Sequence, residues 1–226
     1  RAFNSDGQPL ENVSLPKHSA DEYIVYSGIA HTRWATHGGV TKANAHPHLS
    51  SKESFALAQN GIVENYQELK QMLIAEGFSF QTETDTEVIV RLIESEAKKN
   101  GWYLEKPADL HSAALSAFKQ LAGRNTIIIQ GLLQENQCII AIRNGSPLVI
   151  GQVTNNTIHG VKHDYYLGSD YLSFANFTNE IGQLEDGQGV IITHDGLQSF
   201  NANKKKKKMN PLEFKTVEVS DNKVDK

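Results

Sequence analysis

Along this chain short apolar runs stand on either side of a block of helical periodicity. The segment Tyr23-Ile-Val-Tyr-Ser-Gly-Ile-Ala30 is β-branched and aromatic and predicts a buried strand that carries on to Trp34. Phe55–Gln59 predicts a second. Three helices follow: Val63–Glu76 closed by Gly77, Thr86–Lys99 closed by Gly101, and Asp109–Leu121 closed by Gly123. Beyond them β-structure returns, with strands expected at Asn125–Ile129, Cys138–Ile142, Leu148–Ile150, Tyr165–Leu167 and Gly189–Thr193. A short helix is expected over Tyr171–Phe177, and Asp195-Gly196 reads as a hairpin turn. Consecutive strands favour antiparallel pairing, while the central helices need a sheet face to cover, so the pattern predicts an α+β layered domain.

Composition narrows this picture. The chain has 226 residues and a formal net charge of −4, enough length for one sizeable core. Residues 1–200 read as one domain and 201–226 as a polar, Lys-rich extension. The lysines Lys204 to Lys208 follow a hairpin turn and read as a solvated extension, and without them the body is acidic. Basic residues show no interleaved aromatics, so no nucleic-acid face is expected. No apolar run reaches membrane-spanning length. The single cysteine, Cys138, lies in an apolar run that reads as a central strand, where it acts as a small buried hydrophobe. One cysteine excludes a disulfide framework and fits a reducing, cytoplasmic setting.

Three segments carry candidate chemistry. In His31-Thr-Arg-Trp-Ala-Thr-His-Gly-Gly39 a guanidinium, an indole, hydroxyls and imidazoles sit within nine residues at a strand end. The Arg33 fork can grip a carboxylate with two parallel hydrogen bonds and Trp34 can cover a bound molecule; a surface salt bridge and a core indole are the alternative. Asn60-Gly61 joins a strand to a helix, where a side-chain amide and a backbone N–H can share one oxyanion, although a plain turn has the same sequence. Thr82-Glu-Thr-Asp-Thr-Glu87 opens a helix with a Thr84…Glu87 capping box and Asp85 in the first turn. A carboxylate there complements the helix dipole, or, beside a carboxylate-binding arginine, meets the ammonium of an amino acid. His31, His37, His46 and His48 crowd together, but no cysteine or carboxylate completes a zinc set among them, and neither metal nor cofactor is expected.

These strings, with Asn44-Ala-His-Pro-His48, Gln59-Asn-Gly-Ile-Val-Glu-Asn65 and Gly145-Ser-Pro-Leu-Val-Ile-Gly151, occur in the order of one family. From about Tyr23 to Ile192 the chain resembles the class II glutamine amidotransferase domains of the glucosamine-6-phosphate synthase family. The resemblance implies the N-terminal-nucleophile hydrolase fold, a four-layer α/β/β/α sandwich with two antiparallel sheets. It implies that Arg33, Trp34, Thr36 and His37 serve the carboxylate end of L-glutamine and the ammonia route. By the same token Asp85 binds the ammonium, Asn60 and Gly61 form the oxyanion hole, and His46 and His48 are scaffold. Members of the family begin with a nucleophilic cysteine, whereas position 1 here is Arg, so the chain is expected to start inside its domain and to be inactive alone. Ammonia is delivered in the family to fructose 6-phosphate in isomerase domains that follow, and homo-oligomers are expected at full length. A class II amidotransferase for another acceptor, and a non-catalytic glutamine-binding module, remain open alternatives.

Overall fold

The structure, a computed structural model, describes residues 27–32, 38–132, 137–157, 160–202 and 210–217. Two antiparallel sheets and three α-helices make up the described residues. The first elements are β1 (His48–Leu49), β2 (Phe55–Gly61), α1 (Tyr66–Ala75), α2 (Asp85–Lys99) and α3 (Pro107–Phe118). Then come β3 (Asn125–Gly131), β4 (Cys138–Arg143), β5 (Val149–Thr157), β6 (Gly160–Gly168), β7 (Glu180–Gln183), β8 (Gln188–Thr193), β9 (Gly196–Asn201) and β10 (Phe214–Thr216). The larger sheet runs β1-β2-β3-β4-β8-β9 and the smaller β10-β7-β5-β6.

Strand alternation assigns the two faces of the larger sheet to different cores. Ile127 and Ile129 of β3 and Ile140 and Ile142 of β4 face the helices and are fully buried against Leu73, Ile89, Ile93 and Leu110. Ile128, Ala141 and Val190 point the other way and meet Ile150 of the smaller sheet with Leu148 and Leu184, which flank its strands β5 and β7. Each fully buried branched side chain contributes about 1.5–3 kcal/mol of transfer free energy, so these two cores hold the layers together. The order is helices, sheet, sheet. On the outer face of the smaller sheet a 3₁₀ turn, Tyr171–Ser173, sets Phe174 over Gly151 and Ser173 over Gly168, where a Cβ would collide with the Phe174 ring and the Ser173 hydroxyl respectively.

Several boundaries differ from the pattern of the sequence. Helix α1 starts at Tyr66 rather than Val63, because Ile62 and Glu64 still donate N–H bonds to the carbonyls of Arg124 and Ala122. Helix α3 starts at Pro107, a residue suited to a first turn, and ends at Phe118, beyond which Gln120 and Leu121 close shorter turns. The hairpin β5–β6 has nine residues in each arm, although only Leu148–Ile150 and Tyr165–Leu167 had an apolar signature. The polar arms pair with each other and carry no burial pattern to read. The short helix expected over Tyr171–Phe177 shrinks to the single 3₁₀ turn. Of the strand expected over Tyr23–Trp34, residues 27–32 lie in no strand, and Gln130 Nε2 donates to the Ser27 carbonyl at 2.7 Å instead of a backbone ladder. The rest of that expected strand, and Lys204 to Lys208, lie outside the described residues.

Candidate functional site

Among the described residues, one edge of the end of β2 has no neighbouring strand. Strand β1 pairs with β2 only at Ala56 and Leu57, while β3 runs along the whole of the other edge. Leu132 donates to Ser54 and Ile62 to Arg124, which makes the even positions of β2 the ones that bond to β3. Gly61 is odd. Its pairing partner Asn125 exchanges both backbone bonds with Asn144, at 2.8 and 2.9 Å, so the Gly61 N–H is directed to the edge that β1 leaves uncovered. Gly61 has φ 136°, and a Cβ here would lie 1.9 Å from the Arg124 carbonyl oxygen, so no other residue can make this approach. Asn60 precedes it, half-buried, with His31 Nε2 2.7 Å from its side-chain Oδ1.

The N-terminus of α2 abuts this strand end. Thr84 is the N-cap and its hydroxyl accepts the Glu87 N–H at 3.3 Å. Glu87 does not reach back to Thr84, as a standard capping box would; its carboxylate accepts the N–H groups of Gln81 and Thr82 and the Thr82 hydroxyl, and pairs with Arg91 at 2.9 Å. Burial opposes the charge on Glu87, but those N–H and hydroxyl donors and Arg91 outweigh it and hold its carboxyl below the ordinary range. Asp85, 3% exposed, accepts the backbone N–H of Val63 at 2.8 Å through Oδ2. That bond ties the helix to the chain two residues past Gly61, so two of the three candidate segments meet although Asn60 and Asp85 are far apart in sequence.

A buried polar chain runs between them. Gln59 Nε2 donates to Asn125 Oδ1 at 2.7 Å, and Gln59 Oε1 accepts the Thr86 hydroxyl at 2.6 Å. Thr86 Oγ1, having donated, accepts from His46 Nε2 at 2.9 Å, and His48 Nε2 lies 2.8 Å from Thr84 Oγ1. The rings of His31 and His46 stack with centroids 4.7 Å apart, and His46 meets His48 edge to face at 5.1 Å. Both histidines of the His46-Pro-His48 string thus bind threonine hydroxyls of α2, the scaffold role expected of them. No group of three possible metal ligands occurs among the described residues.

A second clasp joins the residues after His37 to the same helix end. Asn44, nearly buried, donates through Nδ2 to the Gly39 carbonyl and to Glu83 Oε2, both at 3.1 Å, and its Oδ1 accepts the Glu83 N–H at 3.0 Å. Gly39 N–H donates to the same carboxylate at 3.2 Å. Asn44 first, then the Gly39 N–H, hold the Glu83 carboxyl below its ordinary range. At Gly38, with φ 74°, a Cβ would come within 2.8 Å of Asn44 Nδ2 and Glu83 Cβ.

Arg33, Trp34, Thr36 and His37 lie outside the described residues; Asn60, Gly61 and Asp85 are brought together. Asn44, Gln59, Glu83 and Thr86 had no assigned role in the sequence, since nothing local distinguishes a buried hydrogen-bonding side chain from an exposed one. Cys138 is 2% exposed on an interior strand of the larger sheet, and burial, partly offset by a backbone hydrogen bond at Gly131, pushes its thiol up to about 11. It is a core residue and cannot serve as a nucleophile.

Comparisons with known proteins identify the family and the fold. A family profile described as a glutamine amidotransferase domain matches residues 20–101. A glutamine--fructose-6-phosphate aminotransferase [isomerizing] of Clostridium perfringens is 38% identical over 85% of this chain and 28% of its own length. One of Idiomarina loihiensis is 44% identical over 77% of this chain and 26% of its own. The chain therefore spans roughly a quarter of the length of such relatives, between 26% and 28% for these two. Among solved structures, the glutamine phosphoribosylpyrophosphate amidotransferase of B. subtilis superposes with a TM-score of 0.59 at 26% identity, over 77% of this chain and 34% of that one. A strand ending in Asn60-Gly61 with an acidic helix start tied to the chain beyond it, and relatives that share both the sequence and the fold, place this chain in the class II glutamine amidotransferase domain family.

Proposed function

We propose that this chain is the glutamine-hydrolysing domain of a glucosamine-6-phosphate synthase, supplying ammonia that converts fructose 6-phosphate to glucosamine 6-phosphate in domains beyond it. The observation that carries the reading is the Val63 N–H bond to Asp85, which ties a buried carboxylate to the chain two residues past Gly61 at the end of β2. In the reaction a thiolate adds to the side-chain amide carbon of glutamine, and negative charge collects on the amide oxygen. Asn60 Nδ2 and the Gly61 N–H receive that charge, Asp85 holds the α-ammonium, and Arg33 with Thr36 and His37 hold the α-carboxylate. The tetrahedral adduct expels ammonia past Trp34, and water then releases glutamate from the thioester. The family resemblance assigns the attacking thiol to an N-terminal cysteine. Homo-oligomeric association at full length and a cytoplasmic setting belong to the same reading; among the described residues no helix is long and apolar enough to cross a membrane.

The test is made on the full-length gene product. Glutamine should be hydrolysed to glutamate and ammonia, and addition of fructose 6-phosphate should yield glucosamine 6-phosphate. Ammonia release that supports amination only of a different acceptor, such as a phosphoribosyl substrate, would keep the amidotransferase and remove the synthase. Absence of both activities in a folded protein carrying the N-terminal cysteine would remove the proposal.

A further inference from the structure

We propose that His31 is a positioning residue that locks the Asn60 amide with its N–H₂ group toward the reacting oxygen. The proposal rests on the reading of Asn60 as an oxyanion donor. A primary amide has nearly the same shape in its two flipped orientations, and the orientation decides the sign of its effect. With Nδ2 forward the group donates to a developing anion. With Oδ1 forward it opposes that anion with a dipole of the wrong sense.

At a half-exposed strand end, water bonds to either orientation about equally well. Something must choose. His31 Nε2 lies 2.7 Å from Asn60 Oδ1, and a carbonyl oxygen only accepts, so this arrangement belongs to the tautomer of His31 that carries its proton on Nε2. Reversal of the amide would set N–H₂ against that N–H. In the Nε2–H tautomer the bond selects the donor-forward state and leaves both Nδ2 hydrogens on the side away from His31.

The ring that makes this choice is itself fixed. It stacks on His46 with centroids 4.7 Å apart and planes tilted by 30°, and His46 is held by Thr86 Oγ1 at 2.9 Å. His48 packs edge-on against His46 and is held by Thr84 at 2.8 Å. Thr84 and Thr86 flank Asp85. The first turn of α2 thus sets both the carboxylate of the candidate site and, through the imidazole stack, the orientation of the amide. His31, which the sequence alone left without a role, joins them.

A double-mutant cycle on the full-length gene product separates this account from a structural role for His31, with ammonia release from glutamine as the readout. Asn60→Ala is expected to lower kcat by about 10²–10³-fold. His31→Phe keeps a flat ring for the stack but has no donor, and should lower kcat by about tenfold, the size of one oriented hydrogen bond, with KM within about twofold. In the Asn60→Ala background the same change should cost nothing further. His31→Gln restores an N–H donor and should recover most of the loss, and it keeps the test open should the phenylalanine variant fold poorly. Equal losses from His31→Phe in both backgrounds, no loss in either, or a glutamine variant no better than phenylalanine would overturn the positioning role. A harmless Asn60→Ala would instead overturn the site reading on which the proposal rests.

Discussion

Two buried regions of this domain are built on opposite principles. Between the larger sheet and the helices, Ile127, Ile129, Ile140 and Ile142 meet Leu73, Ile89, Ile93 and Leu110 with no solvent exposure and no polar side chain among them. At the end of β2, Gln59, Thr84, Asp85, Thr86, Glu87 and Asn125 are buried almost as deeply, none above 3% exposed. Burying such groups costs roughly 1–3 kcal/mol each unless every one finds a partner, and well-packed apolar residues would stabilise the domain at least as well. The apolar region exists to hold the layers together. The polar region is better explained by what it positions: a carboxylate, an amide and an N–H at one open strand edge.

The contrast can be broken most forcefully at Glu87. Its removal leaves the Gln81 and Thr82 N–H groups without their acceptor and takes one of the two carboxylates from buried Arg91, which keeps Glu94 and the Ser51 hydroxyl. Glu87→Ala should cost about 2–3 kcal/mol in urea unfolding, from the lost N–H acceptor and one lost ion pair. Because the folded carboxyl sits below its unfolded value, the contribution of Glu87 is fully present above the unfolded pKa and is lost as pH falls through the folded one. The variant should accordingly show a flatter loss of stability on acidification, and an unchanged acid profile would show that Glu87 is not the ionised hub of this network.

Asp85→Asn tests the ligand side of the same region. The amide can still accept the Val63 N–H, so stability should change little, whereas glutamine use should fall by an equivalent of about 2–5 kcal/mol in kcat/KM. An analogue of glutamine without the α-amino group should be affected far less. Equal losses for both compounds would mean that Asp85 supports structure and does not meet an ammonium.

In the apolar region the expected effect is smaller and of another kind. Ile140→Val should lower stability by about 0.5–1.5 kcal/mol and leave turnover alone, since Ile140 faces the helices away from the strand end. Smallest is the effect at His111 on α3, whose ring packs on Phe200 at 4.2 Å while Nε2 has no partner among the described residues. Burial lowers its pKa, so the unfolded chain binds the proton first and stability declines as pH falls from above the unfolded value toward the folded one. His111→Phe should remove that slope, measured as the change in unfolding midpoint between mildly alkaline and mildly acidic buffer; a slope that persists would place its origin elsewhere.

The apolar region was legible in the sequence because alternation and helical spacing are local. Phe55–Gln59, Asn125–Ile129 and Cys138–Ile142 are strands of the larger sheet, and Thr86–Lys99 lies within α2. Elements without an apolar signature escaped: the two-residue β1, the polar arms of β5 and β6, and the short β7, β9 and β10. At the site, Asn60, Gly61 and Asp85 were legible as residue types at an element junction. Their convergence was implied only by the family resemblance and by nothing in the local pattern, because the Val63 to Asp85 bond spans 22 positions and the Thr86 to His46 bond 40. The clasp of Asn44 with Glu83, 39 positions apart, has the same character. Buried polar contacts of this range leave no periodicity in the chain; only the packing of α2 on β1 and β2 creates them.

Steady-state ammonia release by the full-length gene product, wild type against Asn60→Ala, tests the central claim most directly. If the β2 end and the α2 start form an oxyanion site for glutamine, kcat falls by about 10²–10³-fold while KM stays within a few-fold. A variant that folds and turns over at the wild-type rate would contradict the account.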